Sequence, residues 1–270
     1  MTRGRPGSPS LVVVGVDDRG AEVVRLVLGH GDDPVALLAV HGWEALRARD
    51  IISDTGGKHV LTMSFVVEAQ TSFVVEAQTA VPLELEVMLR RDHDLVTFDG
   101  EVPKPHQRVA AYALVISSRG VLMTQFSDRT NAKGRWGLPG GGIEDGEAPE
   151  RAVVREAWEE SGQVIEVSDL ALIQTSHWVG RAPTGRLEDF HAVRVVYRAI
   201  CPEPTDPVVH DVGGTTMSAA WVPLPDLERL DVTSTWRSLL SDVVVAPGEA
   251  NGADHPEQDP DDDDRARPQP

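Results

Sequence analysis

The chain of 270 residues is long enough for one large domain or two modest ones, and a composition that is 41% hydrophobic and 25% charged is that of an ordinary globular protein. A formal net charge of −18 argues against nucleic-acid polymers and anionic membrane surfaces as main partners, although a small phosphate compound can still bind where cations neutralise the site. No apolar run reaches the roughly 20 residues that span a bilayer, the opening MTRGRPGSPSLVVVGV has no secretory signature, and the lone Cys201 can build neither a disulfide framework nor a cysteine-rich zinc site, so a cytoplasmic protein is expected.

In chain order, residues 1–10 read as a flexible start and residues 11–98 as a small α+β unit. VVVGV and EVVRLVL flank Asp17 to Gly20 as a hairpin, and Asp33 can cap a short helix that stops at Gly42. EALRARDI, HVLTMSFVVEA and LELEVMLRR then read as strands, which gives a ββαβββ order with no motif tied to chemistry. Within it, SFVVEAQT at Ser64 to Thr71 recurs letter for letter at Ser72 to Thr79. In a strand Phe65 and Val67 share one face while Val66 and Glu68 share the other, and an even-numbered insertion leaves that assignment intact. Both copies in one strand would reach roughly 53 Å, so the chain is expected to break near Gln70 to Ser72.

Pro103 and Pro105 mark a linker over residues 99–107 into a second unit at 108–245. There RVAAYALVIS, GVLMTQF, VRVVYRAI and AAWVPL read as strands. Trp236, Leu239, Leu240, Val243 and Val244 follow the spacing of an amphipathic closing helix. Residues 246–270, rich in Pro, Gly, Asp and Glu, read as a disordered acidic tail, with Asp261 to Asp264 a solvated charge run rather than a specific metal site.

The chemistry lies in GRWGLPGGGIEDGEAPERAVVREAWEESGQ, Gly134 to Gln163, where a glycine-dense turn leads into a helix. Glu147 and Pro149 suit its start and Ser161–Gly162 its stop. On a helical wheel Glu159 and Glu160 lie within about 60° of Glu156, so three carboxylates share a face. Val153, Val154, Ala157 and Trp158 fall on the opposite, packing side. Like charges on adjoining turns repel by a few tenths of a kcal/mol per pair. A solvated face would offset this, as would a hard divalent cation, for which clustered carboxylates are the expected ligands. The triple glycine Gly140 to Gly142 ahead of the helix favours the cation, because residues without a β-carbon let backbone approach a metal or phosphate.

Counted from Gly141, the spacing G-x5-E-x7-R-E-A-x-E-E-x-G resembles the Nudix box, with Gly141, Glu147, Arg155, Glu156, Glu159, Glu160 and Gly162 at its fixed positions. Ala157 and Gln163 depart from it, standing where larger aliphatic residues are usual. The resemblance covers about Arg108 to Val245. It implies an α/β Nudix fold, a mixed sheet sandwiched between helices, to which the N-terminal α+β unit is added. It further implies that Glu156, Glu159, Glu160 and the Gly140 carbonyl hold Mg²⁺ or Mn²⁺, while Glu147 and Arg155 orient the helix and Glu156, with Arg155 beside it, serves as the general base or as the group that orients it. The implied activity is metal-dependent hydrolysis of a diphosphate linkage in a nucleotide sugar or an oxidised or ordinary nucleoside triphosphate. The alternative is a ligand-sensing module with little turnover, which the complete set of carboxylates disfavours. The proline that marks many ADP-ribose enzymes beyond the box has no counterpart, Trp178 and Val179 standing there instead.

Outside the box, Arg181 and Arg186 are candidates for phosphate contact, Glu188 or Asp189 for a further ligand, and His177, Trp178 and His191 for the cleft lining. His210 and Asp211 lack the spacing of a zinc site. The partner expected is a nucleotide-like small-molecule substrate, with neither nucleic-acid polymer nor membrane, and a homodimer is a candidate assembly.

Overall fold

The computed structural model of the chain describes residues 9–70, 90–91 and 95–245. The second repeat copy and the acidic tail lie outside these residues.

The N-terminal unit is a four-stranded sheet ordered β2-β1-β4-β3, built from β1 (Ser10–Val16), β2 (Glu22–Leu28), β3 (Trp43–Asp54) and β4 (Val60–Ala69). The expected hairpin forms as an antiparallel β1–β2 pair, and β1 also pairs in parallel with β4. Helix α1 (Pro34–Val40) is capped as expected: the Asp33 carboxylate accepts from the N–H groups of Val35 and Ala36, which an isolated helix end would leave unpaired. In β4, Leu61, Met63, Phe65 and Val67 are buried in strict alternation, and the strand ends at Ala69, just ahead of the expected break.

The second sheet has eight strands in the order β12-β7-β6-β11-β10-β5, with β8 on β7 and β9 on β6. Its members are β5 (Arg90–Arg91), β6 (Lys104–Ser117), β7 (Gly120–Phe126), β8 (Trp136–Gly137), β9 (Gly140–Gly142), β10 (Glu166–Arg181), β11 (Leu187–Ile200) and β12 (Thr216–Val222). It is mixed, since β6 runs parallel to β11 while β10–β11 and β7–β12 are antiparallel. Two expectations change here. Strand β6 already begins at Lys104, inside the expected linker, because Lys104 to Gln107 pair with Glu188 to His191. The described end of LELEVMLRR, Arg90–Arg91, pairs with Trp178 and Val179 and so extends the second sheet rather than the first.

Helix α2 (Pro149–Ser161) covers one face of this sheet, and α3 (Ser234–Val245) covers the other. On the α2 face, Val109, Ala111, Val193 and Val195 pack with Ala152, Val153 and Ala157, and the same apolar cluster continues into Leu61, Met63 and Phe65 of the N-terminal sheet. The two units therefore share one core. On the α3 face, Leu114, Met123, Leu138 and Val196 pack against Trp236 and Leu240. Among the described residues no helix is long and apolar enough to cross a membrane.

Candidate active site

Helix α2 is bounded by its own sequence. Pro149 occupies the first turn, where its missing N–H costs nothing, and Gly162 ends the helix at φ 68, with its N–H donating to the Trp158 carbonyl. The packed stripe, however, runs through Ala152, Val153, Ala157, Glu160 and Ser161. Val154 and Trp158, expected to pack, are exposed, and Trp158 stacks on His210 with ring centroids 4.4 Å apart. Glu160, expected on an outward acidic face, is only 6% exposed, because its turn lies against β9 and β12.

There the Glu160 carboxylate accepts from the Gly140 N–H at 2.9 Å and the Thr216 hydroxyl at 2.5 Å. Burial pushes its pKa from 4.5 to about 7, these two hydrogen bonds oppose the shift, and the Glu156 charge adds to it. Burial also raises Glu156, against the hydrogen bond and charge of Arg155 and helped by Glu159. A β-carbon on Gly141 would stand 2.5 Å from the Glu156 carboxyl carbon, so glycine there makes room for the carboxylate. Gly140 has φ +148, and a β-carbon on it would run into Ala111 and Tyr112 of β6.

Arg155 is the hub. Its Nε and Nη2 donate to the two oxygens of Glu147 at 2.9 Å, Nη1 donates to Glu156 at 2.9 Å and to Glu159 at 3.1 Å, and Nη2 also reaches the Gly142 carbonyl at 3.1 Å. The Glu147 pairing, outweighing burial, raises the pKa of Arg155 further. Burial pushes Glu147 up, but the Arg155 hydrogen bonds and the Glu144 N–H leave it below its ordinary value. Glu147 and Arg155 thus brace the helix against the glycine turn.

The donor chemistry fits a hard divalent cation. Glu160 is buried and Glu156 half-buried, desolvation raises the pKa of both, and Glu159 and the Gly140 backbone adjoin them. The described side chains do not converge on one point, however. Arg155 bridges Glu156 and Glu159, while Glu160 turns to Thr216.

Beside the box opens a cavity of about 350 Å³ lined by Arg108, Trp178, Arg181, Arg186, Glu188 and Phe190. The Trp178 and Phe190 rings lie 4.6 Å apart as a tilted pair. Arg181 is tied to Glu101, and Arg186 to Glu188. Burial pushes Glu188 upward, yet the hydrogen bonds from Arg186 and His106 hold it below its ordinary value. Strand alternation divides the candidates from these loops. On β10 and β11, Trp178 pairs with Phe190 and Gly180 with Glu188, whereas His177 pairs with His191 and Val179 with Asp189. Glu188 and Trp178 reach the cavity, while His177, Asp189 and His191 face the N-terminal unit, because successive side chains in a strand point to opposite sides.

Two arginines escaped the sequence reading. Arg108 lines the cavity, lies 3.7 Å from the β-carbon position of Gly142, and its charge acts on both Glu156 and Glu160. Arg194 stands on β11 opposite Ala110, two positions beyond Ala192, the strand partner of Arg108; it donates to the Ser176 hydroxyl at 2.9 Å, and burial lowers its pKa. The available signal was an arginine placed inside each of two apolar strand runs.

Residues 106–242 match the NUDIX domain family. A MutT-like protein of Streptomyces ambofaciens is 39% identical over 66 residues, which are 24% of this chain and 41% of that protein, so the match spans less than half of the relative's length. The nucleoside triphosphatase NudI of Klebsiella pneumoniae (strain 342) is 27% identical over 123 residues, 45% of this chain and 84% of that protein. Among solved structures, the MutT NUDIX hydrolase from Burkholderia pseudomallei is 30% identical over 51% of this chain and 98% of its own, with a TM-score of 0.41.

Proposed function

We propose, from the premise that this chain belongs to the Nudix hydrolase family, that it hydrolyses a diphosphate linkage in a nucleoside triphosphate or nucleotide sugar. The observation that carries this reading is the buried Glu160 carboxyl beside the half-buried Glu156 carboxyl, set against a glycine turn and adjoining a cavity that offers arginine and aromatic surface. The relative named a nucleoside triphosphatase supports the triphosphate arm.

In this reading Glu156, Glu159, Glu160 and the Gly140 carbonyl hold Mg²⁺ or Mn²⁺, which when bound polarises the phosphate oxygens and acidifies a bound water. Glu156 accepts the proton of the attacking water, and the partial burial that raises its pKa makes its carboxylate a stronger base than a solvated one. A new oxygen–phosphorus bond forms as the bridging phosphate bond breaks, and the departing phosphate takes up negative charge beside Arg108 and Arg194. Arg155 and Glu147 keep the helix carboxylates in position. Trp178 and Phe190 offer a face for the nucleobase, and Arg186 and Arg181 border the sugar or outer phosphate. Asp189, on the opposite side of the sheet, is not assigned to the substrate.

We take the four-stranded N-terminal sheet with α1 as an accessory unit and the eight-stranded sheet, β6 onward with β5 on its edge, together with α2 and α3 as the catalytic unit. That neither a nucleic-acid polymer nor an anionic membrane surface is a main partner rests on the charge of −18.

The test is phosphate and pyrophosphate release from a panel of nucleoside triphosphates, their oxidised forms, nucleotide sugars and ADP-ribose, each with and without Mg²⁺ or Mn²⁺. Turnover of at least one class that vanishes on chelation supports the proposal. Tight binding of panel members with no turnover in either metal would make the chain a sensor instead.

A further inference from the structure

The side of the sheet that faces the N-terminal unit carries a second cluster of ligating groups that the hydrolytic site does not use. His177 and Asp189 stand on adjacent strands β10 and β11, and His30 reaches them from the loop between β2 and α1. His177 Nε2 lies 2.5 Å from one carboxylate oxygen of Asp189, and His30 Nε2 lies 3.3 Å from the other. One ligand atom from each of the three falls within 4.8 Å of the others, and no other group of three His, Cys, Asp or Glu residues does so among the described residues. The side chains of His30, His177 and Asp189 are 27%, 16% and 25% exposed, so the cluster is recessed but open to a small ion.

The surroundings hold these groups in place. Asp33 caps α1 with one carboxylate oxygen and with the other accepts from the Thr175 hydroxyl at 2.5 Å, which fixes the His30 loop onto β10 two positions before His177. Asp32 closes the same loop by accepting from the Gly29 N–H at 2.8 Å. Gly31, at φ +86, leaves only 2.7 Å between its β-carbon position and the His177 ring, an approach that a side chain would block. Behind the cluster His191 is fully buried, with ring centroids 5.6 Å from His30 and 6.0 Å from His177. Its Nδ1 meets Gln107 at 3.1 Å, and the Asp32 backbone also faces the ring as a hydrogen-bond partner.

We propose that His30, His177 and Asp189 form a second metal site, for a Zn²⁺-class ion, that clamps the N-terminal unit to the catalytic sheet. Two imidazoles and one carboxylate make a borderline donor set suited to Zn²⁺ rather than Mg²⁺, which prefers oxygen alone. Ligand atoms on a tetrahedral Zn²⁺ stand roughly 3.3 Å apart for bonds of about 2.0 Å, and the His30–Asp189 separation of 3.3 Å already meets this. His177 and Asp189 lie closer and would part as their direct hydrogen bond is replaced by bonds to the ion. The position left over takes a water. Because one ligand comes from the N-terminal loop and two from the sheet, occupancy couples the two units.

The experiment titrates Zn²⁺ into the full chain with Mg²⁺ in large excess, follows binding calorimetrically, repeats it with Co²⁺ to read the visible absorption of a four-coordinate ion, and records melting curves. One Zn²⁺ per chain at micromolar affinity or tighter, the Co²⁺ band, and a higher melting temperature are expected. His30→Ala and His177→Asn should each weaken binding by about 100-fold or more and remove the thermal shift, whereas the Glu156→Gln variant should keep both. Circular dichroism identifies any variant that fails to fold, and the other histidine variant then decides. Wild-type affinity in His30→Ala, or loss of the bound Zn²⁺ in Glu156→Gln, overturns the site. So does the absence of any Zn²⁺ binding, which would leave a plain hydrogen-bonded His–Asp–His latch.

Discussion

The Glu160 carboxylate accepts the Gly140 N–H at 2.9 Å, which ties the last turn of the box helix to the glycine turn that opens the box. The bond draws a carboxyl group into a site where burial holds its pKa at about 7 instead of 4.5. Without bound cation, a raised folded-state value means that the folded form holds its proton more tightly than the unfolded chain does. This group's stabilising contribution is then complete below about pH 4.5 and is lost as pH rises through about 7. Metal-free protein should therefore melt at a lower temperature at pH 8 than at pH 6 on account of this residue. Glu160→Gln should flatten that dependence and melt higher than wild type at pH 8, while its turnover falls by on the order of 10² to 10⁴. Melting curves across pH with chelator, paired with turnover in Mg²⁺, check both halves; a Glu160→Gln protein with full activity would end the assignment.

Gly141 offers a sharper probe, because its backbone is not in the left-handed region and a methyl group there meets chiefly the Glu156 carboxylate. Gly141→Ala should fold, with a melting temperature within a few degrees of wild type, yet lose about 100-fold in kcat as Glu156 is displaced by an ångström or so. Steady-state kinetics with a thermal melt decide it, and unchanged kcat would show that Glu156 has no positional role.

Arg155 makes its five contacts through three nitrogens in one plane, a pattern that a lysine ammonium cannot reproduce. Arg155→Lys should cost about 1–3 kcal/mol of stability by leaving partly buried carboxylates unpaired and lower turnover by roughly 10- to 100-fold. Denaturant unfolding and kinetics of the variant test this. Near-wild-type values for both would reduce Arg155 to a surface charge.

Trp178 and Phe190 line the cavity on the side of the sheet away from His177. If the nucleobase rests there, Trp178→Ala should raise KM by roughly 5- to 150-fold, the equivalent of about 1–3 kcal/mol of stacking, with kcat within about 3-fold of wild type. A fall in kcat at constant KM would move the base elsewhere.

What the sequence determined by itself is what nearby residues decide. The Pro149 start and Gly162 stop of α2, the Asp33 cap of α1, the β1–β2 hairpin and the alternation along β4 all follow from preferences acting within one turn or one strand pair, and the tertiary structure keeps each of them. The box residues were legible for the same reason, since their spacing is a local property. Which side of each element meets which neighbour was not. Glu160 shares a wheel face with Glu156 and Glu159, but only the docking of α2 on β9 and β12 buries it and gives it Thr216, a partner 56 residues away. Gln163, which stands where an aliphatic residue is usual, is buried at 1% exposure because its amide accepts the N–H of Thr205 and donates to that residue's hydroxyl. Ala157, small for its position, is fully buried in the core shared with the N-terminal sheet. The sequence reading put His177, Trp178 and His191 together on the cleft, whereas in the sheet His177 and Trp178 point oppositely, and the packing of the N-terminal sheet on one face made one side a cleft and the other the meeting place of His177, Asp189 and His30. Desolvation and the convergence of ligands depend on residues far apart in the chain, and no local preference encodes where those will meet.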